Sequence, residues 1–234
     1  RKYDDLEEDG ELEPMEFKKP AIFIGGSGRS GTSFMANVIG SHPKIAVLGE
    51  TKILSIFELA RNFPRMLHYC PPEEREELTA KMEAVFQKEF WVFPHRPDKG
   101  LHLYMNKEEL LEVLPILRQL QYFDSLEGIE KAYGLLWGTL FSQYSRRRGK
   151  PFWAEKTPQI EKHAEVLFRF FPSLRLICLY RDGRDAACSV VEQLWGPNNF
   201  YQALDWWAEN TLAGLSATSK LPFGTVLNVK YEDL

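Results

Sequence analysis

The run Ala21-Ile22-Phe23-Ile24-Gly25-Gly26-Ser27-Gly28-Arg29-Ser30-Gly31-Thr32-Ser33 constrains this chain more than any other stretch. It reads as a buried strand, a glycine-rich loop and the first turn of a helix. Such a loop exposes successive backbone N–H groups, and the helix N-terminus adds its partial positive charge, so the three pieces form a cradle for a phosphate-like anion. The detail matters. A nucleoside-triphosphatase loop is G-x-x-x-x-G-K-[ST]. From Gly26 the spacing reaches Gly31, but Thr32 stands where the lysine would be, and Arg29 is the one cation inside the loop. A loop that holds phosphate without the lysine that reaches the β/γ-phosphates points away from NTP hydrolysis.

Three further apolar, β-rich runs bounded by Gly, Pro or charge read as strands: Ile45–Leu48, Leu174–Tyr180 and residues 225–229, with Pro151-Phe152-Trp153-Ala154 as a further one. Helical patterns separate them. Residues 32–39 follow the first strand. Thr157 reads as an N-cap with Pro158 at the first helical position of a helix toward Phe170. Residues 185–194 and 200–217 are two more helices. The alternation argues an α/β fold: a mainly parallel central sheet with flanking helices. Residues 53–150 read as a helical insertion, a lid or acceptor-binding region that also covers the sheet. Within it lie an amphipathic stretch over 73–93, a helix over 110–120 with an Asn106/Glu109 capping box and a Pro115 kink, and a helix over 129–144. His95, His102 and Tyr104 between these helices read as packing before they read as ligands.

With 234 residues and 44% apolar composition, one domain over residues 20–234 is the simplest division. The net charge of −4 is concentrated at one end: residues 1–13 carry seven acids against Arg1 and Lys2, leaving the body near neutral. Residues 1–19 therefore read as an acidic, solvated, flexible segment. Nothing is basic enough to argue for nucleic acid. Cys70, Cys178 and Cys188 fit no disulfide framework or zinc pattern and read as small buried thiols. No apolar run is long enough to span a bilayer and no signal peptide is visible, although the chain starts without Met.

The chemistry-bearing residues sort to the carboxyl ends of the strands, where open parallel sheets bind ligands. The loop follows the first strand. Glu50 and Lys52 follow the second, Lys156 the Pro151–Ala154 segment, Arg181 the third and Tyr231 the last. Several cations with one carboxylate suit a polyanionic donor and an acceptor that must lose a proton. Glu50 reads either as that base or as a carboxylate paired with Lys52. His42 is a rival base in a turn. Arg181, Asp182, Arg184 and Asp185 read either as a salt-bridge cluster at a helix start or, beside the loop, as part of a second anion site.

These residues resemble the sulfotransferases that use 3′-phosphoadenosine 5′-phosphosulfate (PAPS). Gly28-Arg29-Ser30-Gly31-Thr32-Ser33 is similar to the family's 5′-phosphosulfate loop, with Ser33 in place of a second Thr. Arg181 and Ser189, eight apart after a strand, resemble its 3′-phosphate motif, and Tyr231-Glu232-Asp233-Leu234 the turn that follows. Glu50-Thr51-Lys52 resembles the Glu-Thr-Arg of tyrosylprotein sulfotransferases, with Lys52 replacing Arg and Gln193 standing where those enzymes carry a basic residue.

The resemblance implies a P-loop-like sulfotransferase fold and transfer of a sulfuryl group from PAPS to a hydroxyl acceptor. That acceptor would be a small molecule, a lipid or a peptide tyrosine, and adenosine 3′,5′-bisphosphate (PAP) the product. Glu50 would be the base. Arg29, Lys156 and Lys52 would stabilise charge, and Gly28, Arg29, Ser30, Gly31, Thr32, Ser33, Phe34, Arg181, Ser189 and Tyr231 would hold the donor, with no metal required. A homodimer fits the family. So does a cytoplasmic enzyme in a bacterium, or one on the lumenal side of a secretory membrane in a eukaryote. Family members continue past the position of Leu234, so part of the domain is expected beyond it. Against this reading stand a P-loop kinase or NTPase, with Asp182 as a magnesium ligand, and a non-catalytic nucleotide-binding module.

Overall fold

The computed structural model describes residues 19–51, 58–93 and 96–234. The acidic segment read over residues 1–18, Lys52 and His95 lie outside the described residues. Among the described residues five parallel strands form one sheet: β1 (Ala21–Gly26), β2 (Ile45–Gly49), β3 (Phe152–Lys156), β4 (Leu174–Tyr180) and β5 (Val226–Lys230), in the order β2-β3-β1-β4-β5. The chain leaves central β1, visits β2 and β3 on one side, then β4 and β5 on the other. The strand order reverses at β1, so the crevice for a ligand lies at its carboxyl end. Register puts Ile24 beside Lys156, Gly49 beside Lys156, and Gly26 beside Leu179.

Alternation along the buried strands feeds two separate cores. Phe23, Leu48, Trp153 and Cys178 face the larger one, and their neighbours Ile24, Ala154 and Leu179 face a smaller one under α1 (Thr32–Gly40). The larger core is built with the helices of the 53–150 region. These are α2 (Glu58–Tyr69), α3 (Arg75–Lys88), α4 (Lys107–Val113), α5 (Pro115–Gln119) and α6 (Leu126–Arg147). Phe63, Phe86, Phe90 and Trp137 are fully buried there, and a chain of ring contacts runs through Phe141 and Trp153 to Phe23. The insertion therefore does cover the sheet. The Asn106/Glu109 capping box is present, and the Pro115 kink is a full break between α4 and α5.

The Thr157-Pro158 helix start is wrong. Thr157 donates its hydroxyl to Glu155 instead of capping, Gln159 turns left-handed at φ 67°, and α7 begins only at Ala164, running to Phe170 after a 3₁₀ turn at Ile160–His163. α8 (Gly183–Val191) starts two residues earlier than expected and ends sooner, and α9 is Phe200–Thr218. Thiol burial is also corrected: Cys178 is buried and Cys70 partly so, but Cys188 is exposed on α8.

Candidate active site

The loop closes on itself before it meets a ligand. Ser27 and Ser30 are buried, their hydroxyls 2.6 Å apart, and Ser30 N–H donates to Ser27 O. Gly31 takes φ 91° against the ring of Tyr231, so any Cβ there would overlap that ring. Among the described residues the first-turn N–H groups of Thr32 and Ser33 have no backbone acceptor. These are the donors an anion would take. Beneath the loop, Gly26 N–H donates to the buried carboxylate of Glu161 at 2.6 Å, which pins the end of β1.

Glu50 stands at the end of β2 with φ 47°. Its carboxylate accepts from Lys156 Nζ at 2.9 Å and pairs with Lys99 Nζ through the other oxygen. The same Lys156 ammonium donates to Ser33 Oγ at 3.3 Å. One lysine thus joins the carboxylate to the anion loop. Burial pushes the Glu50 carboxyl up, but the hydrogen bonds and charges of Lys99 and Lys156 outweigh it and hold it below the usual range. The alternative pairing with Lys52 falls outside the described residues.

Next to Lys156 in the chain, Glu155 is fully buried. One of its oxygens accepts from Thr51 N–H, Thr51 Oγ1 and Thr157 Oγ1, and the other has no partner. Burial raises its carboxyl to about 7 despite those bonds. This tie holds the strand ends that carry Glu50 and Lys156. Tyr104 does similar work: its hydroxyl accepts from Gly49 N–H and donates to Gly49 O. His102 is bound to the Trp91 and Pro97 carbonyl oxygens, in keeping with a packing role.

The predicted 3′-phosphate residues do meet the loop. Arg29, at φ 69°, donates from Nε to Ser189 Oγ at 2.8 Å. Arg181 donates to Arg29 O at 3.1 Å, lies 4.7 Å over the Tyr231 ring, and keeps a buried Nε with no partner. Arg29 therefore points toward Ser189 and not toward Glu50. Phe34 is half-exposed and edge-on to Tyr231. The Arg–Asp cluster divides: Asp182 caps α8 and pairs with Arg184, leaving Arg181 to the loop. Gln193 donates to Ser189 O and so braces the same turn. His42, the rival base, accepts from Lys44 N–H within its turn.

Three features escaped the sequence reading. Lys99 lies in a loop of the insertion with no motif around it. Trp195 and Trp206 flank Gly28 closely enough that a Cβ there would press on both. Glu155 and Glu161 have no role in that reading. For Glu155 a signal existed: it directly follows the apolar run Phe152-Trp153-Ala154.

A model of the sulfotransferase family matches residues 20–234. The chain belongs to the sulfotransferase family. Its α/β architecture, a parallel sheet with the anion loop after the central strand, is the P-loop-like sulfotransferase fold. No curated protein sequence gives a significant match. Among solved structures, it is similar to a sulfotransferase from Mycobacterium avium, with 14% identity over 94% of this chain and 62% of that one at a TM-score of 0.43. The sulfotransferase domain from the curacin biosynthetic pathway gives 20% identity over 92% and 69%, at 0.47. A sulfotransferase from Mycobacterium tuberculosis H37Rv gives 19% over 95% and 66%, at 0.44. The chain thus spans about two thirds of each or less. Among the described residues no helix is long and apolar enough to cross a membrane, and no cluster of three or more His, Cys, Asp or Glu side chains is arranged to hold a metal.

Proposed function

We propose that this sulfotransferase moves a sulfuryl group from PAPS to a hydroxyl acceptor, with Glu50 as the general base. The observation that carries the reading is the Lys156 ammonium, which bonds both the Glu50 carboxylate and Ser33 of the anion loop. The sulfuryl group would lie between them. The residues present suit such a donor. Unclaimed N–H groups at α1 would take the 5′-phosphosulfate. Arg181 with its unpartnered Nε, together with Ser189 and Arg29, offers charged and hydroxyl donors to a 3′-phosphate.

In the reaction the acceptor oxygen bonds to sulfur as the bond from sulfur to the bridging oxygen breaks and PAP leaves. The acceptor proton passes to Glu50, and Lys156 meets the charge growing on the bridging oxygen. Among the described residues, two of the three non-glycine residues with positive φ are Arg29 and Glu50, which fits strain held at a working site. The kinase reading is weaker: the loop has no lysine, and Asp182 spends both oxygens on Arg184.

Calorimetry with PAP, adenosine 5′-monophosphate and ATP–magnesium tests the donor. PAP should bind best, and Arg181→Ala should lose that preference; tighter binding of ATP–magnesium would overturn the reading. A non-catalytic module would bind PAP without turnover. Glu50→Gln should keep PAP affinity and lose roughly 10²–10⁴-fold in kcat with PAPS.

A further inference from the structure

A cleft of about 620 Å³ runs between α1 and β2. It starts at the proposed reaction centre, where Lys156 and Ser33 line it, and follows one face of α1 to Gly40. Seven residues of helix span about 10 Å. Tyr144, Arg148 and Lys150 line it with them, and among the described residues no acidic side chain does. The far end is marked by Lys150, whose ammonium donates to the carbonyl oxygens of Gly40, His42 and Ile45 at 2.8–3.1 Å. Its three donors are spent there, but its charge remains. Arg148 is different. Its guanidinium rests 5.3 Å from the centre of the Tyr144 ring, is exposed, and has no carboxylate partner among the described residues. Lys156 is offset by its Glu50 partner at the near end, so the positive charge of the cleft lies with Arg148 and Lys150, where it concentrates anions, and a guanidinium fork matches a carboxylate.

We propose that this cleft is the acceptor site and that it selects acceptors bearing an anionic group about 10 Å from the hydroxyl. This rests on the sulfotransferase reading. The hydroxyl sits between Glu50 and Lys156, and the anion lies against Arg148 with Lys150 behind it. The small side chains of Ala36 and Ala46 keep the middle open for an apolar or aromatic spacer.

The test is calorimetric, with PAP saturating, on three phenols of one shape: 3-(4-hydroxyphenyl)propanoate, neutral 4-ethylphenol and cationic tyramine. The wild type should bind the propanoate at least about tenfold tighter than 4-ethylphenol and tyramine weakest, a gap of about 1.4 kcal/mol. Arg148→Ala should erase that order, Arg148→Lys should keep part of it, and Arg148→Glu should favour tyramine. Equal affinities in the wild type, no binding of any phenol, or an anion preference that survives Arg148→Ala would overturn the proposal. PAP titrated first into each protein separates the two readings. PAP bound with no anion preference sinks the cleft alone; PAP unbound by the wild type sinks both.

Discussion

Glu50 shows what one residue's surroundings do to its chemistry. Two ammoniums keep it ionised at neutral pH but also make it a weaker base, so each partner should be visible in the pH profile. Because Glu50 is held below the usual carboxylate range, the acid limb of kcat/KM should lie below that range, with the profile flat above it. In Lys99→Met one stabilising charge is gone, and the acid limb should move to higher pH; an unmoved limb would show that Lys99 is not coupled to catalysis. Glu155 works in the opposite sense. Its folded value of about 7 lies above its unfolded one, so between those values the folded state holds the extra proton. Stability from this group therefore declines as pH rises from about 4.5 to 7, by about 3 kcal/mol in all. Urea unfolding of Glu155→Gln against wild type at pH 5 and pH 8 should show the variant losing less stability over that range, and parallel slopes would refute the assignment.

At the scale of an element, α6 carries two buried glycines one turn apart with opposite demands. Gly134 faces the carbonyl of Phe170, and a Cβ there would overlap it; at Gly138 the nearest atom is 4.0 Å away. Gly134→Ala should force α6 away from α7 and cost about 1–3 kcal/mol or more. Gly138→Ala should gain roughly 0.5–1 kcal/mol, since alanine loses less freedom in a helix. Thermal melts of the two variants check this, and a shift of the same sign in both would contradict the packing described. The insertion that α6 belongs to does more than cover the sheet. It also brings Lys99 and Tyr104 to the end of β2, which makes it part of the site.

For the molecule as a whole, the site is a meeting of strand ends. The loop, the proposed base and the proposed 3′-phosphate residues come from β1, β2, β3 and β4, so a ligand that bridges them should stabilise the entire sheet. PAP at a hundred times its Kd should add about 2.7 kcal/mol. For a chain of this size that is a Tm rise of roughly 5–10 °C. Adenosine 5′-monophosphate at the same multiple of PAP's Kd should give clearly less, because it lacks the group Arg181 and Ser189 would hold. Equal shifts would remove the case for a 3′-phosphate site.

What the sequence determined by itself is whatever is written locally. The β1–loop–α1 unit, the Asn106 capping box and the strand runs each carry their own hydrogen-bonding and burial requirements within a few residues. The family motifs are local in the same sense, which is why Glu50, Lys156, Arg181 and Ser189 could be named before the fold was known. Thr157-Pro158 shows the limit: its local signal for a helix start lost to the buried Glu155 carboxyl, which needed the hydroxyl more than the helix did. Tertiary structure alone decided the rest. Lys99 reaches Glu50 across 49 residues of sequence, Arg29 reaches Ser189 across 160, and the α1–β2 cleft is lined by α6. No periodicity or spacing encodes such pairings, because charge and shape act through space and only the folded sheet sets which residues are near.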